Sequence, residues 1–187
     1  MMHNTRQLLM IQPVSFGFNA QTAVNNSFQK NIDGNLQQNA LEEFTNFVAV
    51  LRKNKIEVTI IEDTAEPSTP DSVFPNNWIS FHDDGRIFLY PMFAANRRQE
   101  RKADVLNVIK KKFNVKDVID LSNYEKENIF LEGTGSMVLD RENKIAMPVY
   151  RPVQIKKYWM NFAALQNTAS LHSSQPTVAE LIFTIPM

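Results

Sequence analysis

The stretch Pro70-Asp71-Ser72-Val73-Phe74-Pro75-Asn76-Asn77-Trp78 concentrates the residues of this chain best suited to holding a small polar molecule. Its prolines fix their own φ and push the residues before them toward extended geometry, so the backbone from Asp71 to Asn77 is held in place. In that frame Asp71, Asn76 and Asn77 offer acceptors and amide donors, while Val73, Phe74 and Trp78 supply apolar anchoring. Such a set suits a planar guest that is cationic or carries an amide. The same residues also suit a plain turn, with Phe74 and Trp78 in the core. A second cluster, Asn96-Arg97-Arg98-Gln99-Glu100-Arg101, reads as a helix start capped by Asn96. Adjacent arginines there oppose the helix dipole, and a cationic pair so placed can hold a carboxylate or phosphate bidentately. The alternative is two solvated arginines with Glu100 as partner. A third cluster, Ile129 to Gly135, ends an apolar strand on Glu132 with glycines directly after it, which delivers a carboxylate where a ligand or another backbone comes close. A buried carboxylate calls for a cation or a histidine beside it. Gly133-Thr134-Gly135 is too short for a phosphate loop, with neither the GxGxxG spacing nor a following Lys-Ser/Thr.

These clusters need elements to position them. Leu8-Leu9-Met10-Ile11, an unbroken apolar run stopped by Gln12-Pro13, predicts a strand buried on both faces. Ser15 to Asn39, rich in Asn, Gln, Gly and Ser, predicts a long loop, and such loops inside compact domains are often functional. Asn39 is a candidate cap for a helix in which Leu41, Phe44, Phe47 or Val48, and Leu51 recur at helical spacing. Ile56 to Ile61 alternates and is β-branched, which predicts a strand. Trp78 to His82 and Arg86 to Tyr90 predict a hairpin about Asp83-Asp84-Gly85. His82, beside that turn, reads as a surface residue rather than a metal ligand, since no second histidine or acid cluster has matching spacing. A helix with Val105, Leu106, Ile109 and Phe113 inward should end at Lys110-Lys111-Lys112, where cations complement the dipole. Val115 to Leu121 predicts another strand, Tyr124 to Asn128 a polar connector, Asp140 to Asn143 a turn, and Lys144-Ile145-Ala146 a last strand.

The 187 residues carry 20 basic and 20 acidic side chains and a formal net charge of zero, so long-range electrostatics favour neither nucleic acid nor an acidic membrane surface. No cysteine is present, which removes disulfides, zinc–thiolate sites and cysteine nucleophiles together and is compatible with a reducing compartment. No metal site or cofactor is expected. The start, Met1 to Arg6, has no apolar h-region and no run is long enough to span a bilayer, so the sequence reads as cytoplasmic.

Three motifs in order carry a resemblance: Asp71 to Trp78, Tyr90-Pro91-Met92-Phe93-Ala94-Ala95-Asn96-Arg97-Arg98-Gln99-Glu100, and Phe130-Leu131-Glu132-Gly133-Thr134-Gly135-Ser136-Met137. Together they resemble the citrulline-utilising hydrolases of the guanidine-modifying (pentein) superfamily, which holds arginine deiminases, dimethylarginine hydrolases and amidinotransferases. The resemblance runs from about Leu8 to Ala146. It implies an α/β fold, a five-bladed propeller of ββαβ modules, incomplete in this chain. It also implies a small amino-acid guest of citrulline or arginine type, attacked at its planar carbon by a cysteine while a histidine acts as acid and base. By motif position Glu132 resembles the acid that orients that histidine, Arg97 or Arg98 the clamp on the substrate carboxylate, and Asp71, Phe74, Asn76 and Asn77 the substrate-gripping loop. Asn77 stands where many relatives have an aspartate, which favours a ureido guest over a guanidinium.

Two departures follow. The family nucleophile is a cysteine, and its histidine lies in a His-x-Asn segment; this sequence has neither, and nucleophilic catalysis needs both attacking group and base. The chain therefore reads as a truncated, inactive hydrolase of linear C–N bonds, or else as a noncatalytic amino-acid-binding module or a partner-completed fragment that self-associates through exposed strand edges. The second departure is the texture from Met147 onward, where Glu180 is the one acid and no period of two or 3.6 persists. This divides the chain into a propeller part, 1–146, and an aberrant, poorly ordered tail, 147–187. Read one frame over, suitable codons for Phe183 to Met187 and a following stop spell Tyr-His-Thr-Asn-Val. Lys156 to Ala163 become Lys-Glu-Val-Leu-Asp-Glu-Phe-Cys, and Met147 to Pro152 become Tyr-Ala-Cys-Leu-Ser-Ser. One offset serves all three places, as a single-nucleotide deletion near Ala146 would produce.

Overall fold

The computed structural model describes residues 5–24, 34–140, 145–148 and 183–184. The chain divides into two compact units, one of Asn4–Pro75 and Phe93–Val115, the other of Met1–His3, Asn76–Met92 and Lys116–Met187. The division falls inside the Asp71–Trp78 stretch.

In the first unit, β1 (Gln7–Gln12) and β2 (Glu57–Glu62) pair in parallel, joined through α2 (Leu36–Lys53). Only Ile11 of β1 is buried, with Leu8, Leu9 and Met10 half-buried, so the strand is not covered on both faces as its apolar run predicts. Among the described residues it has β2 as its one neighbour. The periodic face of α2 resolves onto Phe44 and Val48, which pack with Val58, Met10, Leu51, Ile56, Ile60 and Val73; Phe47 turns outward at 54% exposure. The helix begins three residues before the expected cap. Asn35, not Asn39, is the cap, accepting at its side chain from the Gln38 N–H, because Leu36-Gln37-Gln38 are good helix formers that extend the helix back to it. The predicted Ser15–Asn39 loop is also interrupted by α1 (Ala20–Ala23), which starts on Asn19; residues 25–33 lie outside the described residues.

The arginine cluster is rearranged. A one-turn helix, α3 (Ala95–Arg98), places Arg97 and Arg98 in its last turn, and α4 (Ala103–Lys112) starts separately. Arginine at a helix C-terminal turn agrees with the dipole, so the conflict read from the sequence does not exist. Asn96 is not a cap either: Ala94 holds that position, and the Asn96 N–H donates to Gln21 Oε1. In α4, Val105 and Ile109 are buried and Leu106 is half-buried, as is Phe113 at the C-terminal cap, with Lys110, Lys111 and Lys112 in the last turn.

In the second unit, β3 (Ile79–Phe81) and β4 (Arg86–Leu89) form the predicted hairpin, and β5 (Asp117–Asp120) joins β4 in parallel. Gly85 takes φ 87° at the turn, a conformation open to glycine at no steric cost. Trp78, Ile79, Ile87, Phe88, Leu89 and Tyr90 are buried. Ser80 Oγ lies 3.0 Å from His82 Nε2 and 2.7 Å from the Tyr90 hydroxyl, and the His82 ring is 4.7 Å from Phe88. The connector after β5 is a 3₁₀ helix, Ser122–Glu127. Residues 129–132 are not strand, contrary to expectation. The Leu131 N–H donates to the Pro91 carbonyl, α5 (Gly133–Ser136) makes one turn, and the strand comes afterwards as β6 (Met137–Asp140).

β6 pairs antiparallel with β7 (Ile145–Pro148), and β7 with β8 (Phe183–Thr184). The expected 146/147 boundary thus falls within β7. The remainder of the tail, 149–182 and 185–187, and the turn residues 141–144 lie outside the described residues.

Candidate functional site

The seven site residues read from the sequence fall into two groups, one in each unit. In the first unit are Asp71, Phe74, Arg97 and Arg98. Arg97 is 5% exposed; its Nε donates to Glu100 Oε1 at 2.8 Å and its Nη2 to Oε2 at 3.1 Å. The same Nη2 donates to the Asp71 carbonyl at 3.3 Å and to the Phe74 carbonyl at 3.2 Å, so this guanidinium braces the backbone of the Asp71–Phe74 segment. Burial pushes the Glu100 carboxyl up to about 7, against the opposing pull of Arg97. Arg98 is half-buried and donates from Nη2 to the Phe93 carbonyl at 3.0 Å. The two arginines, equivalent by sequence, therefore have unlike surroundings.

Asp71 is 6% exposed, and its Oδ2 accepts from Asn19 Nδ2 at 2.7 Å and from the Thr22 hydroxyl at 3.0 Å. Asn19, 2% exposed, also accepts at Oδ1 from Asn96 Nδ2 at 2.9 Å. Sequence reasoning missed Asn19 and Thr22 as partners of Asp71, and Asn96 as the partner of Asn19: they sit in segments that look like loop or cap, and no local pattern signals a contact across 49, 52 or 77 residues. Phe74 is 47% exposed, which removes it from the core reading, whereas Trp78 is fully buried. Nearby in the same unit, Lys102 Nζ pairs with Asp63 Oδ1. Burial acts to raise the Asp63 carboxyl, but hydrogen bonds led by Lys102 and Thr69 hold it below its ordinary value.

In the second unit are Asn76, Asn77 and Glu132. Asn76 Nδ2 donates to Thr134 Oγ1 at 2.7 Å. Gly133, at φ 37°, lies so close that an added Cβ would overlap the Asn76 carbonyl oxygen and come 3.0 Å from that of Asn77. An added Cβ at Gly135 would meet Asn77 Nδ2 at 3.0 Å. The glycines that flag Glu132 in the sequence thus do what their type implies, admitting the Asn76–Asn77 backbone and side chain to close approach. Glu132 occupies the cap position of α5, its N–H donating to Ser136 Oγ at 3.1 Å and its carbonyl accepting from Gly135 N at 2.7 Å; its side chain is half-buried. A helix cap, not a strand end, carries this carboxylate. Among the described residues no group of three His, Cys, Asp or Glu side chains could hold a metal, and no helix is long and apolar enough to cross a membrane.

Solved structures define the fold. Over 84% of its length the chain resembles the apo arginine dihydrolase ArgZ, from the cyanobacterial ornithine–ammonia cycle, with 18% identity and a TM-score of 0.64, covering 22% of that chain. It matches the N-terminal domain of the same enzyme over 87% of its own length and 55% of the domain chain, at a TM-score of 0.63. A dimethylarginine dimethylaminohydrolase is similar at 14% identity and a TM-score of 0.51, over 72% of this chain and 47% of that one. The fold is therefore α/β of the pentein kind, and this chain spans about a fifth to about half the length of the structures it matches. Residues 12–151 match the family described as eukaryotic N,N-dimethylarginine dimethylhydrolase, and the chain belongs to that family. No curated protein is similar enough to count as a match.

Proposed function

We propose that the chain is the amino-acid-binding portion of a hydrolase of linear C–N bonds, shaped for a citrulline- or arginine-type guest, and that these 187 residues alone do not turn the guest over. The observation that carries this reading is the close seating of Asn76 and Asn77 on the Glu132–Gly135 turn, which joins the end of the Asp71–Trp78 motif to the Phe130–Met137 motif within one unit. A ureido group has a carbonyl acceptor as well as N–H donors. A carboxamide at position 77 can serve both, whereas an aspartate offers acceptors only and suits a guanidinium. Within the other unit, motif position supports Asp71, held by Asn19 and Thr22, and exposed Phe74 as substrate-binding residues, and Arg98 rather than Arg97 as the carboxylate clamp, since Arg97 is engaged with Glu100.

Inactivity rests on composition: without cysteine there is no family nucleophile, and Glu132 has no His-x-Asn histidine to orient. A family match that stops at Arg151 supports a change of reading frame near Ala146. Gene codons incompatible with that one alternative frame would remove the frameshift. If the frame is restored by one base, a segment containing the histidine motif should reappear. A noncatalytic binder in a reducing cytoplasm is the second reading, favoured by the intact polar set around Asp71; self-association through sheet edges would show in size-exclusion chromatography. Purified chain incubated with citrulline, arginine and methylated arginines should release no ammonia, ornithine or amine above buffer. Sustained release from a preparation free of host enzyme would sink the inactive reading.

A further inference from the structure

Asn77 is a departure within the Asp71–Trp78 motif, and its carboxamide lies against Gly135. Gly135 is exposed, its φ is not positive, and the atom its missing Cβ would approach most closely is Asn77 Nδ2, at 3.0 Å, followed by Asn77 Cγ at 3.6 Å and Glu132 Cβ at 3.7 Å. Its neighbour differs on each count. Gly133 is buried, takes φ 37° and meets backbone oxygens, so its requirement for glycine is steric and local. At Gly135 nothing in the backbone demands glycine. The space that a side chain would take is occupied instead by the amide end of Asn77.

From this we infer that Gly135 is a specificity-determining position: by lacking a side chain it lets the Asn77 carboxamide lie over the α5 turn, and this fixes which way the amide donor and acceptor face. The inference rests on the reading of Asn77 as a ureido-facing group and goes beyond it by naming what sets that group's orientation. Gly135 is a positioning residue, acting through Asn77. A methyl group at 135 displaces the far end of a flexible side chain without straining the backbone, so Gly135→Ala should fold and should reorient only the amide. The Asn76 carboxamide, which donates to Thr134 Oγ1, contributes none of the atoms nearest a Cβ at position 135 and should not follow.

The test uses the full chain and two probes, citrulline and arginine, titrated calorimetrically, together with side-chain amide resonances in ¹⁵N-labelled protein. The Asn77 pair is identified by its disappearance in Asn77→Asp. Gly135→Ala should shift that pair, leave the Asn76 pair in place, and weaken citrulline about three- to tenfold, as expected for one neutral hydrogen bond, with arginine affinity unchanged. An unmoved Asn77 pair in folded Gly135→Ala would overturn the inference. So would an equal loss for both ligands, which marks a merely structural role. Should the unsubstituted chain bind neither ligand, the proposed ureido site fails, and with it the specificity assigned to Gly135.

Discussion

The two units hold their motif residues by opposite means. In the first, Asp71 and Arg97 are fixed by charge and hydrogen bonds: a buried Arg97–Glu100 pair, two carbonyls on the same guanidinium, and Asn19 and Thr22 on the aspartate, with Asn96 donating in turn to Asn19. In the second, Asn76 and Asn77 are fixed by shape, through glycines pressed against their backbone and amide. Charged networks fail when one member is removed, because the other is left buried and unpaired. Shape fails when one methyl group is added, and how badly depends on whether backbone or a side-chain tip must yield.

Glu100→Ala should be the largest lesion. It strands Arg97 in the interior and should cost about 3–5 kcal/mol by urea denaturation at pH 8; a cost below 1 kcal/mol would show the pair to be solvated after all. Arg97→Ala should be comparably harmful, so loss of ligand affinity in that variant would not identify a ligand contact. Arg98→Ala tests the proposed clamp: it should keep near-native stability and weaken calorimetric binding of α-amino acid carboxylates, and unchanged affinity would remove Arg98 from that role.

Next is Gly133→Ala, where overlap with the Asn76 carbonyl and a left-handed φ combine to cost on the order of 3 kcal/mol. Gly135→Ala should stay within about 1 kcal/mol of the unsubstituted protein. Equal costs for the two alanines would erase the distinction between backbone and side-chain contact.

Acid–base behaviour sharpens the comparison further. Glu100 is raised from 4.5 to about 7, so between those values the folded chain keeps a proton that the unfolded chain has released. Stability should therefore fall as pH rises through that window, by an amount on the order of 3 kcal/mol, and Glu100→Gln should flatten the slope. Asp63 has the opposite sign: its lowered value gives stability that is present above the ordinary carboxyl range and lost on acidification below it. Thr69→Val, which removes the 2.6 Å hydrogen bond to Asp63, should make a small change, about 1 kcal/mol, present wherever Asp63 is ionised and so throughout the range above the ordinary carboxyl value. Thermal melts carried from about pH 2 to pH 8 separate the two contributions, Asp63 on the acid side of the ordinary carboxyl range and Glu100 above it.

What the sequence determined by itself is short-range or ordered along the chain. The hairpin follows from Asp-Gly between apolar runs, the faces of α2 and α4 from helical spacing, and the family from three motifs in order. Tertiary structure alone decided which of two adjacent arginines is buried, because that depends on Glu100 and on carbonyls more than twenty residues away. It also moved Glu132 from a strand end to a helix cap, since Leu131 bonds to Pro91 rather than continuing a ladder. The Asn19–Asp71 contact was illegible for the same reason. Propensity and periodicity record what a residue does with its near neighbours, whereas a buried polar group is placed by partners that only folding brings within 3 Å.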